Sequence, residues 1–430
     1  MNQNQEAIDS AALTEILAGR TGAVECCGLS GSARAYLIAR AQFRRPMPML
    51  VVSDSVEEAR RLVEDLLFFG RPAPFPVLYF PPYHLLPFKF LSYHNETASE
   101  RIRVLYQLLM NAAPAVVVAP VQALLQQLVP KQAINQYAEL ILEGEEIDRD
   151  RLVAKLIAGG YLRTAIVEEP GDFCVRGGIE DVFSPLYADP LRIELFGERV
   201  DSLRFFSATD QRRVGSVAEA VLLPAREAIL HPEALADITH RIRLLAAELT
   251  VPATQVRKIV THLSNQEGFP GIESLLPLVY PRLDHFFDYL PPDTRFLIAD
   301  PDRVEKAARE FEEQAQANYA ASCDARTLCV PPATLYLAWD EVRGILDRQG
   351  PVSFKLLDVV KAEPGSGTAP TRVVHAAVDA NSELTAALRQ PREKQELFLP
   401  LAEWIRDRSA HGQRVMVSCQ TKSNAQRLAA

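Results

Sequence analysis

The chain has 430 residues, a net charge of −9 and a hydrophobic fraction of 48%. The length predicts about three domains with packed cores. The acidic balance argues against a chain whose main task is to grip nucleic acid through its phosphates. The polar N-terminus and the lack of a long apolar run exclude a secretory signal and a membrane span, so we expect a cytoplasmic protein with no membrane partner.

The cysteines are scattered along the chain, without a CxxC pair. They are Cys26, Cys27, Cys174, Cys323, Cys329 and Cys419. No histidine cluster has the spacing of metal ligands either. The sequence therefore predicts reduced cysteines and no metal site.

A glycine loop lies near the N-terminus, after a predicted helix over residues 9–19. A strand over residues 23–27, a loop with Gly28 and Gly31, and a following helix have the layout of a phosphate-binding P-loop. A working GxxxxGK[ST] loop needs a second glycine, a lysine for the terminal phosphates and a hydroxyl for Mg²⁺. Those three places hold Ala33, Arg34 and Ala35. Arg34 keeps a positive charge but Ala35 cannot bind a metal, so we interpret the loop as a degenerate nucleotide site.

Buried strands alternate with helices as far as residue 130. Strands are predicted over residues 49–53, 77–80 and 115–119, and helices over 56–69, 97–110 and 121–128. Ser55 is the predicted N-cap of the helix over 56–69, with Glu58 completing a capping box and Gly70 ending the helix. The alternation predicts a mostly parallel sheet covered on both faces. His84 and His94, in a proline-rich stretch, are expected to be loop residues.

A capped helix within residues 143–160 leads into a small predicted sheet over residues 173–206. Its first strand places one apolar set on one side, namely Phe173, Val175, Ile179 and Phe183. Arg176 and Glu180 fall on the other side. Gly177-Gly178 is interpreted as a kink that aims Arg176, because glycine weakens a strand interior. The next two strands meet at a turn at Gly197-Glu198, and a bulge is expected there.

The exposed side of this sheet is predicted to carry Arg176, Arg192, Arg204 and Phe196. Surface charges of this kind usually pair locally and keep a sheet soluble, here with Glu180, Glu194 and Glu198. Arginine beside an exposed aromatic ring is also the composition enriched at interface hot spots. The residues alone leave both interpretations open.

The second half of the chain is richer in helices. Helices are predicted over residues 235–249, 303–319, 339–348 and 393–409, with strands over 296–299 and 414–418 and a linker over 361–370. Asp300 ends a buried strand, where an ATPase has its Walker B acid, but Pro301 follows, so a helix N-cap is the favoured role. The last residues, KSNAQRLAA, begin a helix without a stop signal, which suggests an N-terminal fragment of a longer protein.

Several segments together resemble a known family. FCVRGGIEDVFSP, LRIELFGERVDSLRFF, FPGIESLLPL and DHFFDYLPPDT are similar to the UvrB-like N-terminal part of bacterial transcription-repair coupling factors, the Mfd family, over residues 15–345. The resemblance implies an α/β fold: a divided P-loop-like parallel-sheet domain with an inserted small α+β domain, followed by the start of a further α/β domain. The implied boundaries are 1–130 and 216–345 for the divided domain, 135–215 for the insert and 351–430 for the truncated last domain.

The resemblance also implies a function. Such a chain is expected to be an adaptor that recruits UvrA to stalled RNA polymerase for nucleotide excision repair. The implied UvrA-binding residues are Arg163, Arg176, Phe183, Arg192, Phe196 and Arg204. Strand parity predicts that Arg176 and Arg192 are exposed, while Phe183 fits either a core or an interface. Contacts with RNA polymerase and DNA are expected only through a C-terminal part that this chain lacks, and a C-terminal domain is expected to mask the UvrA-binding surface.

Departures from UvrB limit what the resemblance implies. The degenerate nucleotide site comprises Gly28, Gly31, Ala33, Arg34, Ala35, Asp300 and Pro301. We therefore expect no catalytic residue and no cofactor in this chain, although full-length family members are ATP-dependent DNA translocases. The proline-rich stretch is too short for the tyrosine-rich hairpin with which UvrB probes damage. The alternatives are a nucleotide-dependent helicase or UvrB-like DNA damage-loading protein, and a DNA-binding module.

Overall fold

The structure is a computed structural model. It describes residues 7–19, 22–29, 31–83, 95–110, 113–265, 269, 271–355, 372–376, 382–390, 398–415, 417, 419 and 421–429. The chain divides into two compact units, Met1–Ala376 and Ala377–Ala430.

The first part of the large unit alternates strands with helices, as predicted. Its strands are β1 (Ala7–Ile8), β2 (Val24–Cys27), β3 (Met49–Ser53), β4 (Val77–Tyr79) and β5 (Val116–Pro120). Its helices are α1 (Ser10–Ala18), α2 (Ala33–Arg44), α3 (Val56–Gly70), α4 (Asn95–Met110), α5 (Val121–Leu125) and α6 (Lys131–Tyr137). The predicted elements are confirmed to within a few residues. His84 and His94 lie outside the described residues.

A small α+β domain is inserted next. Its elements are β6 (Glu139–Leu142), α7 (Arg149–Ala158), β7 (Leu162–Arg163), β8 (Asp172–Arg176), β9 (Ile179–Val182), β10 (Leu191–Phe196), β11 (Arg199–Phe206), β12 (Arg213–Val217) and β13 (Glu219–Leu222). Strands β6 and β13 pair antiparallel where the chain enters and leaves the insert. The insert therefore extends past its predicted end at residue 215, because β12 and β13 are part of it.

The remainder of the large unit is richer in helices. It contains α8 (Leu235–Glu248), α9 (Ala253–Ser264), α10 (Leu276–Val279), α11 (Phe286–Tyr289), β14 (Arg295–Ala299), α12 (Pro301–Asp324), α13 (Pro332–Leu335), α14 (Trp339–Arg348), β15 (Val352–Lys355) and β16 (Arg372–Ala376). Short 3₁₀ turns cover Pro232–Ala234 and Ile272–Leu275.

The second unit contains α15 (Ser382–Arg389), α16 (Leu399–Ala410) and α17 (Lys422–Ala429). Helix α17 confirms the helix predicted at the end of the sequence. Residues 414, 415 and 417, which are the described members of the predicted strand over 414–418, do not have strand conformation.

The large sheet has eight parallel strands in the order β1-β16-β2-β15-β14-β3-β5-β4. Strands β3 and β5 are buried at all five positions, as coverage of both faces of the sheet requires. Strands β15 and β16 flank β2, where Val24 pairs with both Val352 and Arg372. The predicted domain boundary at residue 351 is therefore wrong, because these two strands complete the hydrogen bonding of β2.

A buried ion pair anchors the chain that leaves the insert. Arg101 on α4 donates from Nε to Glu227 Oε1 at 2.6 Å, and both side chains are fully buried. The Tyr83 hydroxyl donates to the same carboxylate at 2.9 Å. The Arg101 guanidinium also lies 4.4 Å from the centroid of the Phe80 ring. Since a buried charge without its partner is strongly destabilising, this pair fixes the point where the insert joins the large sheet.

Candidate functional site

The insert contains a six-stranded sheet in the order β12-β11-β10-β9-β8-β7, antiparallel except for β7 and β8. Strands β8 and β9 form a hairpin, so the predicted kink at Gly177-Gly178 is wrong: these residues are a tight turn. Gly177 has a positive φ of 58°. A Cβ on Gly178 would lie 2.7 Å from the carbonyl oxygen of Leu195, so only glycine fits there. The predicted bulge in the β10–β11 hairpin is confirmed by the register shift after Glu194.

The turn changes which side chains share a face. Ile179 pairs with Arg176, and Glu180 pairs with Val175. Residues paired across antiparallel strands lie on the same face, so Ile179 lies on the arginine face and Glu180 on the opposite one. The predicted placements of Ile179, Glu180 and Phe183 are therefore wrong. We call the face that α7 covers the inner face, and the face with Arg176 the outer face.

Glu180 is buried on the inner face. Its side chain is 1% exposed, and its Oε1 accepts a hydrogen bond from Arg149 Nε of α7 at 2.7 Å. Burial raises the pKa of Glu180, and the hydrogen bond from Arg149 opposes that shift. Because Glu180 faces the helix, the predicted pairing with the outer arginines does not form.

Two ion pairs run across the middle of the outer face. Arg192 donates from Nε and Nη2 to the two carboxylate oxygens of Asp181, at 2.6 and 2.7 Å. Its guanidinium lies 4.6 Å from the centroid of the Phe206 ring. The hydrogen bond to Asp181 raises the pKa of Arg192, against the effect of burial. Arg204 pairs with Glu194, and both side chains are half-buried.

This geometry changes the role expected of Arg192. Its side chain is only 19% exposed, and its fork already binds a buried carboxylate. The prediction that Arg192 is freely exposed is therefore wrong. The local pairing expected of these arginines is present for Arg204 with Glu194, whereas Arg192 uses Asp181, a partner that the sequence did not indicate.

One corner of the outer face is covered by the segment between β7 and β8. Val167 from this segment packs with Cys174, Phe183 and Phe206 in a small buried cluster. Phe183 is 6% exposed. The sequence left a core role and an interface role open for Phe183, and in the structure Phe183 is a core residue.

The opposite end of the outer face is open, and it holds Arg176 and Phe196. Phe196 is 83% exposed and is the most exposed large apolar side chain of the described residues. Arg176 is exposed, and donates from Nη2 to the Ala165 carbonyl at 2.6 Å and from Nε to Cys174 Sγ at 3.1 Å. Phe196 lies two strands away from Arg176 across the sheet and two residues further along its strand, which corresponds to a distance of roughly 12 Å.

One further exposed residue borders this end. Ile166, next to the carbonyl that holds Arg176, is 51% exposed. We call Ile166, Arg176 and Phe196 the open corner. Arg163 is exposed on the edge strand β7 but pairs with Phe173 of the inner face, so it lies outside the open corner. Ile166 was missed by the sequence reasoning because it lies in an irregular segment, where side chains follow no period.

The arginine that follows the glycine loop after β2 forms a salt bridge. Gly28 and Gly31 have positive φ values of 88° and 54°. Arg34, in the first turn of α2, forms an ion pair with Glu58 of α3. The Ser55 hydroxyl accepts from the Glu58 N–H at 3.3 Å, as predicted, but the Glu58 carboxylate turns to Arg34. The single positive side chain of the degenerate motif is thus paired within the protein.

Asp300 caps a helix, as its neighbouring proline predicts. Its carboxylate accepts from the Arg303 N–H at 3.3 Å at the start of α12, and Pro301 is the first helical residue. Across the described ranges, no group of three or more histidine, cysteine or acidic side chains is placed to hold a metal ion. In the same part of the chain, none of the helices is long and apolar enough to cross a membrane.

Comparisons with known proteins agree with this architecture. Residues 140–227 match the family described as the UvrB interaction domain. The chain is 30% identical over 429 residues to a transcription-repair-coupling factor of Myxococcus xanthus, covering 96% of this chain and 34% of that protein. Similar proteins of the same name come from Bacillus subtilis, with 30% identity over 67% of this chain and 25% of that protein, and from Escherichia coli, with 28% identity over 73% and 27%.

The fold and the site thus define a divided, parallel-sheet α/β domain that carries a UvrB interaction domain. The chain spans about a quarter to a third of the length of the curated relatives it matches. Over that shared region, it belongs to the family of the transcription-repair-coupling factors.

Proposed function

We propose that this chain is an adaptor that recruits UvrA in transcription-coupled nucleotide excision repair. The observation that carries the proposal is the open corner, where an exposed phenylalanine and an exposed arginine share one face of a UvrB interaction domain. Buried aromatic anchors flanked by arginine supply most of the free energy at protein interfaces. Recruitment to stalled RNA polymerase and contacts with DNA would depend on other parts of the family's longer proteins.

The residues divide into direct contacts and supports. Phe196 is the proposed anchor, because almost all of its ring is available to a partner. Arg176 and Arg163 are proposed to pair with carboxylates of UvrA. Arg192 and Arg204 link neighbouring strands of the outer face through Asp181 and Glu194, and Phe183 supports the sheet from a small buried cluster.

The proposed adaptor does not use ATP. Ala35 supplies no hydroxyl for Mg²⁺, Arg34 is paired with Glu58, and Pro301 stands where a catalytic glutamate would follow Asp300. The same features count against a nucleotide-dependent helicase or a UvrB-like DNA damage-loading protein. The net charge of −9 counts against a DNA-binding module. The proposed role places the chain in the cytoplasm.

The test is the affinity of purified UvrA for the immobilised chain. Phe196→Ala should weaken binding about thirtyfold, which corresponds to about 2 kcal/mol for a desolvated anchor. Arg176→Ala and Arg163→Glu should weaken it as well, with circular dichroism showing that each variant is folded. Leu244→Ala and Arg212→Glu, which change exposed residues on α8 and before β12, should bind like wild type.

Two results would overturn the proposal. One is a folded wild-type chain that does not bind UvrA. The other is a Phe196→Ala variant that binds as well as Leu244→Ala. Intramolecular masking by a C-terminal domain is tested by the same variants in a longer family protein, where a masked open corner should become accessible to UvrA only after that domain is removed.

A further inference from the structure

Two thiols lie in contact at the C-terminal end of α12. The sulfur atoms of Cys323 and Cys329 are 3.7 Å apart. Both cysteines are free. The sulfurs of a disulfide are about 2.05 Å apart, so a bond requires the two sulfur atoms to approach each other by about 1.7 Å.

The end of the helix brings these residues together. Arg326 has a positive φ of 51°, which reverses the chain. The Arg326 N–H donates to the Cys323 carbonyl at 2.9 Å, and the Thr327 N–H donates to the Ser322 carbonyl at 2.9 Å. This turn returns Cys329 to the last turn of the helix. The contact is therefore held by backbone hydrogen bonds as well as by packing.

The two thiols differ in environment. Cys329 is fully buried in the core of the large unit, whereas Cys323 is partly exposed. Burial, together with the neighbouring Cys323, raises the pKa of Cys329 to about 12. Because Cys323 is the more exposed of the two, it is the thiol that a small oxidant reaches first. Cys329 must lose its proton before its sulfur attacks, and its position 3.7 Å from the Cys323 sulfur makes it the thiol that can resolve the product.

We propose that Cys323 and Cys329 form a site of reversible oxidation by hydrogen peroxide. The Cys323 thiolate attacks the peroxide and the O–O bond breaks, so that Cys323 becomes a sulfenic acid. The departing hydroxide takes up the proton that the Cys323 thiol released and leaves as water. The Cys329 sulfur then attacks the Cys323 sulfur, the S–O bond breaks, and a second water leaves. The two thiols lose two electrons and two protons, and hydrogen peroxide is reduced to two molecules of water.

The bond would tie α12 to the segment that follows it. That segment leads through α13 to Leu337, whose N–H donates to the Leu125 carbonyl at 2.7 Å next to the large sheet. A disulfide stabilises the folded state because it restricts the unfolded chain, and this effect is modest when the closed loop is short. The oxidised protein should therefore melt a few degrees higher than the reduced one.

The experiment treats the reduced full chain with hydrogen peroxide, blocks remaining thiols with N-ethylmaleimide, and digests with trypsin without reductant. Arg326 lies between the cysteines, so trypsin separates the peptides 310–326 and 327–343, which only a disulfide keeps together. We expect the joined pair in mass spectrometry, lighter than the sum of the two peptides by two hydrogen atoms. Dithiothreitol should separate it.

Variants make the result specific. Cys323→Ser and Cys329→Ser should each abolish the joined pair, and Cys329→Ser should leave a sulfenic acid on Cys323 that reacts with dimedone. Cys419→Ser removes another partly exposed cysteine and should leave the pair unchanged. The proposal fails if oxidised wild type shows no joined pair, if Cys323 passes to sulfinic acid without joining, or if Cys329 bonds to a different cysteine.

Discussion

Arg34 forms an ion pair with Glu58, so the cation that occupies the lysine place of a phosphate-binding loop is neutralised by the next helix. Both side chains are largely buried, at 16% and 20% exposure. A P-loop lysine works because its ammonium is available to phosphate oxygens. Here Arg34 instead joins α2 to α3, so the residue at the lysine position stabilises the fold and is not available to a ligand.

This contact predicts that Mg²⁺ and ATP leave thermal unfolding of the wild-type chain unchanged. Arg34→Ala should lower the free energy of unfolding by about 1 kcal/mol, as for a partly buried pair, and should not change the response to ATP. Arg61→Ala, an exposed change on α3, should have less than about half that effect. A melting temperature that rises with ATP in wild type but not in Arg34→Ala would instead show that Arg34 binds phosphate.

The two ion pairs of the outer face should differ in their contribution to stability. Arg192→Ala leaves Asp181 buried without its partner, so we expect a loss of about 3 kcal/mol. Arg204→Ala leaves Glu194, which is 27% exposed and keeps the hydroxyl of Ser202, so we expect a loss below about 1 kcal/mol. Urea unfolding of both variants measures this difference. Equal losses would mean that Asp181 is solvated when Arg192 is removed.

The two phenylalanines predicted for UvrA binding should also differ in how much they contribute to stability. Phe183→Ala opens a cavity in the cluster beneath Val167 and should cost about 3 kcal/mol or more. Phe196→Ala removes an exposed ring and should change stability by less than about 0.5 kcal/mol. Chemical unfolding tests both, and binding to UvrA at a temperature where both variants are folded tests the roles. If Phe196→Ala destabilises the sheet as much as Phe183→Ala does, the open corner is closed in solution.

The sequence was sufficient for features that depend on neighbouring residues. The buried strand β3, the helix α14 and the Asp300 cap follow from local apolar runs and from the proline at the first helical position. It was insufficient where pairing between distant segments decides the structure. A glycine pair suits a kink or a turn equally, and choosing the turn reverses the face assignments of Ile179, Glu180 and Phe183. Likewise β15 and β16 join the large sheet through β2, which lies more than 300 residues earlier in the chain.

Glu180 predicts a specific pH dependence of stability. Its folded pKa is raised above the ordinary value of 4.5, chiefly by burial. The folded state then holds the proton more tightly than the unfolded chain does, so this group's contribution is greatest below 4.5 and is lost as the pH rises through the folded pKa. Glu180→Gln removes the titration, and Arg149, at 37% exposure, can be solvated when its partner becomes neutral. Wild type should therefore lose stability relative to Glu180→Gln as the pH rises from 4.5, and the difference should level off above the raised pKa.

The measurement is urea unfolding of both proteins across this pH range, with Glu198→Gln as a control for removing one negative charge from an exposed position of the same sheet. The sign of the slope decides between the two influences on Glu180. If wild type instead gains stability over Glu180→Gln as the pH rises, the Arg149 guanidinium outweighs burial, and the inner face of the sheet is held by an ion pair rather than strained by a buried charge.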